Sequence, residues 1–339
     1  MTGHTGFKGT WLTILLEHLG VEVIGLSLPA DPKSLFTRAN RLGKVQEEFF
    51  DIRDEKKVDN FIGQIKPRVI MHLAAQSLVL ESYNNPKLTF DVNVGGLVNV
   101  LNAFSRIDSV EAILVSTTDK VYENTESGKS FTENDSLRGK DPYSASKVAA
   151  ENAVFAWREL LKSNSNKKVL TARAGNVIGG GDFSENRLLP DLARAFSTNS
   201  SVVIRNPMST RPWQHVLDPI AGYLMMVNNA LSGNKLEILN FGPSEKSLSV
   251  KEVVKIAAEN WQSQGTIIFR ENLGDIEAQA LELDSSASRE KLNWRPVWTQ
   301  QQAVIETITW WKDVITKGID AHDRCKLDVF KLITKMSFQ

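Results

Sequence analysis

Apolar runs and helical periodicities alternate through the first half of the chain. Residues 21–26 (VEVIGL), 69–73 (VIMHL), 112–115 (AILV) and 169–172 (VLTA) read as short extended runs. Their nearly continuous apolar character, without strict alternation, marks strands buried on both faces. Between them, residues 58–65, 88–104 and 145–161 carry helical patterns. Such a series predicts an α/β fold, a doubly wound parallel sheet covered by helices on both faces. After about Gly175 the pattern loosens. Gly179-Gly180-Gly181, Asn206-Pro207 and Arg211-Pro212 mark loops, and helical patterns return at 188–196, 220–231, 250–259 and 303–317. We therefore expect a first domain over 1–175 with a later contribution around 212–242. A smaller, mixed α/β domain over 176–339 should interleave with it and close a cleft. Of the eight tryptophans, all but Trp11 and Trp157 lie beyond residue 200, as filler for the second core and the seam.

Composition narrows the class. The 339 residues are 42% hydrophobic and 24% charged, enough for a sizeable core. Forty basic residues balance forty acidic ones, which removes the electrostatic case for a nucleic-acid or membrane-surface partner. No apolar run approaches the roughly 20 residues that span a bilayer, and MTGHTGFKGTW contains no signal-peptide core. A lone cysteine, Cys325 in a charged tail, excludes an internal disulfide and fits a reducing, cytoplasmic setting.

Gly3, Gly6 and Gly9 stand in TGHTGFKG, followed by Trp11, Leu12, Leu15, Leu16 and Leu19 on one helical face. A glycine turn lets backbone N–H groups approach a pyrophosphate, and the helix N-terminus adds a favourable dipole. Asp51-Ile52-Arg53 would set Asp51 against an adenine amino group, and the small residues of Leu73-Ala74-Ala75 allow close approach of a cofactor. Two features depart from a dinucleotide fold. The chain begins two residues before Gly3, so the first, central strand is expected to be missing and the true N-terminus to lie upstream. The strand near Leu26 is followed by Ser27, with no acid for a ribose 2′-hydroxyl, so charge does not choose between NAD and NADP.

The densest chemistry lies in Asp141-Pro142-Tyr143-Ser144-Ala145-Ser146-Lys147. Asp141 suits an N-cap and Pro142 the first helical position, which puts Tyr143 and Lys147 on one helix face. A neighbouring ammonium favours phenolate, giving a base near neutral pH.

These residues, with Ser116-Thr117-Thr118-Asp119-Lys120-Val121-Tyr122-Glu123-Asn124, resemble the extended short-chain dehydrogenase/reductase superfamily, and within it the nucleotide-sugar 4,6-dehydratases. The Asp119-Lys120 pair before Tyr-Glu-Asn is similar to the CDP-glucose 4,6-dehydratase group. The same holds for Ala174–Asp182, Arg211-Pro212-Trp213-Gln214-His215-Val216 and Leu292-Asn293-Trp294-Arg295-Pro296. The resemblance covers the chain apart from the absent first strand. It implies a Rossmann-type sheet and NAD held by Gly3, Gly6, Phe7, Gly9, Asp51, Ile52, Leu73, Ala74, Tyr143 and Lys147. It also implies a catalytic group of Thr118, Asp119, Lys120, Tyr143 and Lys147.

In that chemistry Tyr143 takes the 4-hydroxyl proton, and Asp119, if burial raises its pKa, protonates the departing 6-hydroxyl. Lys120 is either the C5 base or a charge that stabilises the enolate. Asn176, Arg187 and Arg211 are implied at the substrate diphosphate, which suits the bidentate guanidinium. Helices 88–104 and 145–161 are implied as a four-helix homodimer seam. Trp213 and His215 are expected to pack, Asn93 to serve as a structural hydrogen-bonding residue, and His4, His18, His72 and His322 to form no metal site. The rival expectations are another nucleotide-sugar dehydratase, a 4-epimerase or reductase, and a non-catalytic dinucleotide-binding protein.

Overall fold

Four apolar strands lie side by side and parallel in the order Ile238–Phe241, Lys168–Ala174, Ala112–Ser116, Val69–His72. This computed structural model describes residues 1–164, 166–263, 265–270 and 280–336. Every residue of Ala112–Ser116 is buried, as its unbroken apolar pattern requires. Beyond Val69–His72, Ile24–Ser27 pairs in parallel with Gln46–Phe49. Thr2 joins the two groups through single parallel bridges to Leu26 and His72. Its N–H donates to the Met71 carbonyl at 2.9 Å, and the Leu26 N–H donates to the Met1 carbonyl at 2.8 Å. The position expected for the first strand thus holds Met1 and Thr2, and the strand order is that of a doubly wound sheet.

The helices follow their local signals with three corrections. Phe7–His18 is buried from Gly9 to Leu16, but Leu19 is 47% exposed, so the predicted apolar face ends a turn early. The segment expected as one α-helix over 88–104 is α-helical at Pro86–Phe90 and Leu97–Arg106, with a π-helical turn, Asp91–Gly96, between. There the backbone runs against Ile52, whose Cδ1 would stand 2.5 Å from a Cβ on Gly96. The third correction is the supposed charged tail. Ala321–Met336 is a helix with Cys325 fully buried. Its charges are consumed internally, since Arg324 binds Asp313 at 3.0 Å and also reaches Asp328 and Glu306.

Six tryptophans (Trp213, Trp261, Trp294, Trp298, Trp310 and Trp311) are buried beneath helices Leu188–Ser197, Leu217–Leu231, Val250–Trp261 and Gln300–Thr316. Short pairs complete this half, among them Val202–Arg205 with Ile267–Arg270 and Ser130–Phe131 with Glu282–Leu283. No described helix is long and apolar enough to cross a membrane.

Candidate active site

The glycine turn is built for close backbone approach. Gly3 has a φ of +76°, and a Cβ there would lie 2.6 Å from the Ala74 nitrogen. A Cβ on Gly9 would lie 2.0 Å from the Gly3 oxygen. Gly6 is different: a Cβ would meet only the Gly3 oxygen, at 3.4 Å. Gly6 caps Phe7–His18 without a side-chain acceptor, which leaves a cradle of first-turn N–H groups for an anion. That cradle fits a pyrophosphate. Leu73 and Ala74 lie against Gly3, as expected of a cofactor wall. Asp51 receives Arg53 Nε at 3.0 Å and Nη2 at 2.7 Å, which holds its carboxyl below the usual range and charged. Beside it, Ile52 is buried.

At the end of strand Ala112–Ser116 the chain turns through a 3₁₀ segment, Asp119–Val121, capped by Thr118. The Thr118 hydroxyl donates to Asp119 Oδ1 at 3.0 Å. Asp119 is 1% exposed, and its Oδ2 has no hydrogen-bond partner. Burial raises its pKa, against the opposing charges of Lys120, Arg211 and Lys8 and the Thr118 hydrogen bond. Oδ2 faces the backbone at Gly175, where a Cβ would stand 3.0 Å from it.

Across the turn, helix Pro142–Leu160 starts with a capping box in which the Ser144 N–H donates to Asp141 Oδ1 at 2.9 Å. Pro142 stands in the first turn, and Tyr143 and Lys147 are both buried. The Tyr143 N–H donates to Ser82 Oγ at 3.1 Å, and Lys147 Nζ donates to the Ser116 carbonyl at 3.4 Å. Burial first, and the Lys8 charge second, pull Lys147 down to about 8, with Glu151 opposing. Tyr143 is pushed up to about 12 by burial, against the pull of Thr118 and Arg187. This corrects the expectation of a phenol poised near neutral pH: in the protein alone, desolvation outweighs the nearby positive charge.

Of the other expected residues, Arg187 and Arg211 act on this site, and the rest make contacts of their own. Arg187 binds Asp182 at 2.9 Å and lies near enough to favour the Tyr143 phenolate. Arg211 is buried, donates to the Thr210 carbonyl at 2.8 Å and favours ionised Asp119. Asn176 accepts the Gln214 N–H at 3.0 Å through its carbonyl. Trp213 and His215 pack, Trp213 Nε1 donating to the Leu248 carbonyl at 3.1 Å and His215 lying 4.5 Å from the Trp298 ring. Asn93 ties Gln76 to Ser146, accepting the Gln76 N–H at 2.8 Å and donating to Ser146 Oγ at 2.9 Å.

Sequence reading missed four contributors. Lys8, in the glycine turn, reaches the Tyr223 hydroxyl at 3.4 Å, and that hydroxyl lies 3.3 Å from Ser116 Oγ. Glu151 and Arg173 form a buried ion pair beneath the turn. Only Glu151 left a legible trace, one helical turn beyond Lys147. Away from the site, Asp320, His322 and Asp323 gather at the exposed start of Ala321–Met336, an acidic surface group with nothing further pointing to an ion.

Residues 1–307 match the family described as GDP-mannose 4,6 dehydratase. The chain is also 37% identical to a CDP-glucose 4,6-dehydratase of Salmonella typhimurium, over 92% of its own length and 89% of the relative's. The chain belongs to this dehydratase family. Among solved structures, a Thermus thermophilus UDP-glucose 4-epimerase in complex with NAD superposes with a TM-score of 0.78 at 25% identity. That match covers 92% of this chain and 97% of the other. The dTDP-glucose 4,6-dehydratase DesIV of Streptomyces venezuelae, with NAD and TYD bound, gives 0.78 at 21% identity over 92% and 96%. The site described above combines a buried carboxyl, Asp119, with a tyrosine, Tyr143, near enough to feel its charge.

Proposed function

We propose that this enzyme dehydrates CDP-glucose to CDP-4-dehydro-6-deoxyglucose, using NAD as a resident redox cofactor. The carrying observation is Asp119, a carboxyl buried near Tyr143 with one oxygen unpartnered, as an acid held protonated would be. An epimerase has no leaving hydroxyl to protonate and no use for such a group. The choice of cytidine is supported by the 37% identity to the Salmonella CDP-glucose enzyme.

Gly3, Gly6, Phe7 and Gly9 would hold the pyrophosphate, with Asp51, Ile52, Leu73 and Ala74 about the adenosine and ring walls. Bound there, NAD would supply the acceptor for the C4 hydride and the donor that restores it at C6. Tyr143 takes the 4-hydroxyl proton, and Lys147, hydrogen-bonded to Ser116, supplies the positive charge that stabilises the phenolate. Thr118 hydrogen-bonds the sugar near O4. Once C4 is a ketone, the C5 proton is acidic. Lys120 either removes it or stabilises the enolate. Asp119 gives its proton to O6, the C6–O6 bond breaks, and water leaves. A proton returned to C5 then completes a product with no net redox change. Asn176, Arg187 and Arg211 hold the diphosphate through charge-assisted bonds.

Residues 1–175 with 212–242 form the cofactor-binding unit, and 176–339 supply the sugar-nucleotide side. The enzyme works in the cytoplasm as a homodimer. Support for the dimer is the exposed apolar set Leu88, Phe90 and Phe155 on the helices of the expected seam, with Leu80 and Tyr83 beside them. Sedimentation at micromolar concentration tests this, and a monomer removes it.

The deciding experiment is incubation with NAD and CDP-, dTDP-, UDP- or GDP-glucose in D₂O, followed by mass and NMR. Loss of water with deuterium at C5 from the cytidine substrate is expected. Epimerised sugar without water loss would overturn the dehydratase reading.

A further inference from the structure

Beneath the catalytic turn lies a polar network from which bulk water is excluded. Glu151 (5% exposed) and Arg173 (2% exposed) pair through two parallel bonds, Nε to Oε1 at 2.8 Å and Nη2 to Oε2 at 3.0 Å. Glu151 Oε1 also accepts the Thr117 hydroxyl at 2.7 Å. Arg173 Nη1 donates to the Tyr122 hydroxyl at 2.9 Å and to the Glu133 carbonyl at 3.2 Å. Tyr122 in turn donates to Asn240 Oδ1 at 2.6 Å, and Asn240 Nδ2 holds the Phe131 and Asp284 carbonyls at 2.9 and 3.1 Å. Thr117 and Tyr122 bracket Thr118, Asp119, Lys120 and Val121. One ion pair therefore grips both ends of the turn that carries the acid.

Tyr143 and Lys147 have anchors of their own. The Tyr143 N–H binds Ser82, the adjoining Ser146 binds Asn93, and Lys147 binds the end of strand Ala112–Ser116. Removing the ion pair leaves all three in place, while the turn loses its side-chain grips on strand Lys168–Ala174 and helix Pro142–Leu160. A buried bidentate pair costs desolvation and is weak as a general stabiliser. What it gives here is a fixed angle and distance between two elements, to which reactions are sensitive: a misplacement of about 1 Å costs about a hundredfold in rate.

We propose that Glu151 and Arg173 are positioning residues that hold the Asp119 turn in register with Tyr143 and Lys147, so that oxidation at C4 and elimination at C5–C6 are served by one bound sugar. The inference rests on the dehydratase reading above. It assigns the pair chiefly to elimination, because Tyr143 and Lys147 keep their own hydrogen-bond anchors while the acid-bearing turn loses its side-chain grips. The Glu151 charge also favours the Lys147 ammonium, so oxidation falls slightly.

The test uses full-length protein, NAD and the sugar nucleotide that the wild type turns over. A single Glu151→Gln exchange strands a buried guanidinium and is prone to unfold. The paired variant Glu151→Leu/Arg173→Met removes both charges at similar volume, which strands no buried charge, although the Thr117 hydroxyl and the Glu133 carbonyl each lose a partner. Its cooperative thermal transition and far-UV spectrum are checked first. Single-turnover cofactor reduction then reads C4 oxidation, and deuterium uptake at C5 with water loss reads elimination. Oxidation should stay within about threefold, and elimination should fall about a hundredfold, with partially reacted 4-keto sugar released. Equal loss of both steps, or no loss of either, overturns the assignment, as does failure of the paired variant to fold. A wild type that eliminates water from no sugar nucleotide overturns the functional reading instead, and the pair is then judged on whichever C4 oxidation the wild type performs.

Discussion

The floor and the cleft at the end of strand Ala112–Ser116 are built from the same kinds of buried groups and treated in opposite ways. In the floor, Thr117, Glu151, Arg173, Tyr122 and Asn240 each find a partner. In the cleft, Asp119 keeps an oxygen unpartnered, Tyr143 is forced up to about 12 and Lys147 down to about 8. Buried polarity that is satisfied fixes shape. Left unsatisfied, it stores a preference for proton transfer that a substrate can complete.

The largest effect should come from the cleft. Tyr143→Phe removes the proton acceptor and should lower turnover about a thousandfold with an unchanged thermal transition, as steady-state assay and calorimetry will show. Asp119→Asn keeps the shape and deletes the acid. Water loss should fall about a hundredfold while oxidation at C4 persists. It should also stabilise the protein increasingly as pH rises. A carboxyl raised by burial contributes fully to folding below its unfolded value and loses that contribution as pH climbs through its folded value. If Asp119→Asn melts earlier at pH 8, the carboxyl is compensated and the contrast between the two regions fails.

Floor substitutions should act on stability first. Thr117→Val removes one bond to a charged acceptor while the ion pair remains. A loss of about 2 kcal/mol in denaturant unfolding, with a fall in elimination of only about tenfold, is expected. The smallest effect on catalysis should come from another buried acid with one oxygen unpartnered. Asp218 is 1% exposed, lines a 110 Å³ cavity with Trp294, and is pushed up to about 8 by burial against the N–H groups of Val297 and Trp298. Its contribution to folding is complete below about pH 3.9 and is lost as pH rises toward 8. Asp218→Asn should flatten the pH dependence of the melting temperature over that interval without altering turnover. A large loss of activity would show that buried acids of this kind matter beyond the cleft.

Legibility in the sequence followed the range of the interactions. Asp141-Pro142 announced the start of the catalytic helix because capping is settled within four residues, and the spacing of Tyr143 and Lys147 placed both side chains on its buried face. Gly3 and Gly9 were legible because backbone contacts demand glycine there. Arg173 was invisible, since one arginine in an apolar strand says nothing of the glutamate it meets from another element. The π-helical turn at Asp91–Gly96 was hidden by a pattern that α-helical periodicity fits equally well, and the Ile52 side chain that its Gly96 packs against lies far off in sequence. Helix Ala321–Met336 read only as a charged tail because two of the acids that bind its Arg324 sit on Gln300–Thr316.

Exclusion of the Glu151–Arg173 pair from water also separates two responses to salt. Mobile ions screen charges they can approach, over about 8 Å at physiological ionic strength. Arg187, 36% exposed beside Asp182, is open to them, whereas the floor pair is closed. With Arg187 at the diphosphate as proposed, added potassium chloride should raise KM for the sugar nucleotide while kcat stays level, and ionic strength becomes a dial on substrate capture separate from the chemistry.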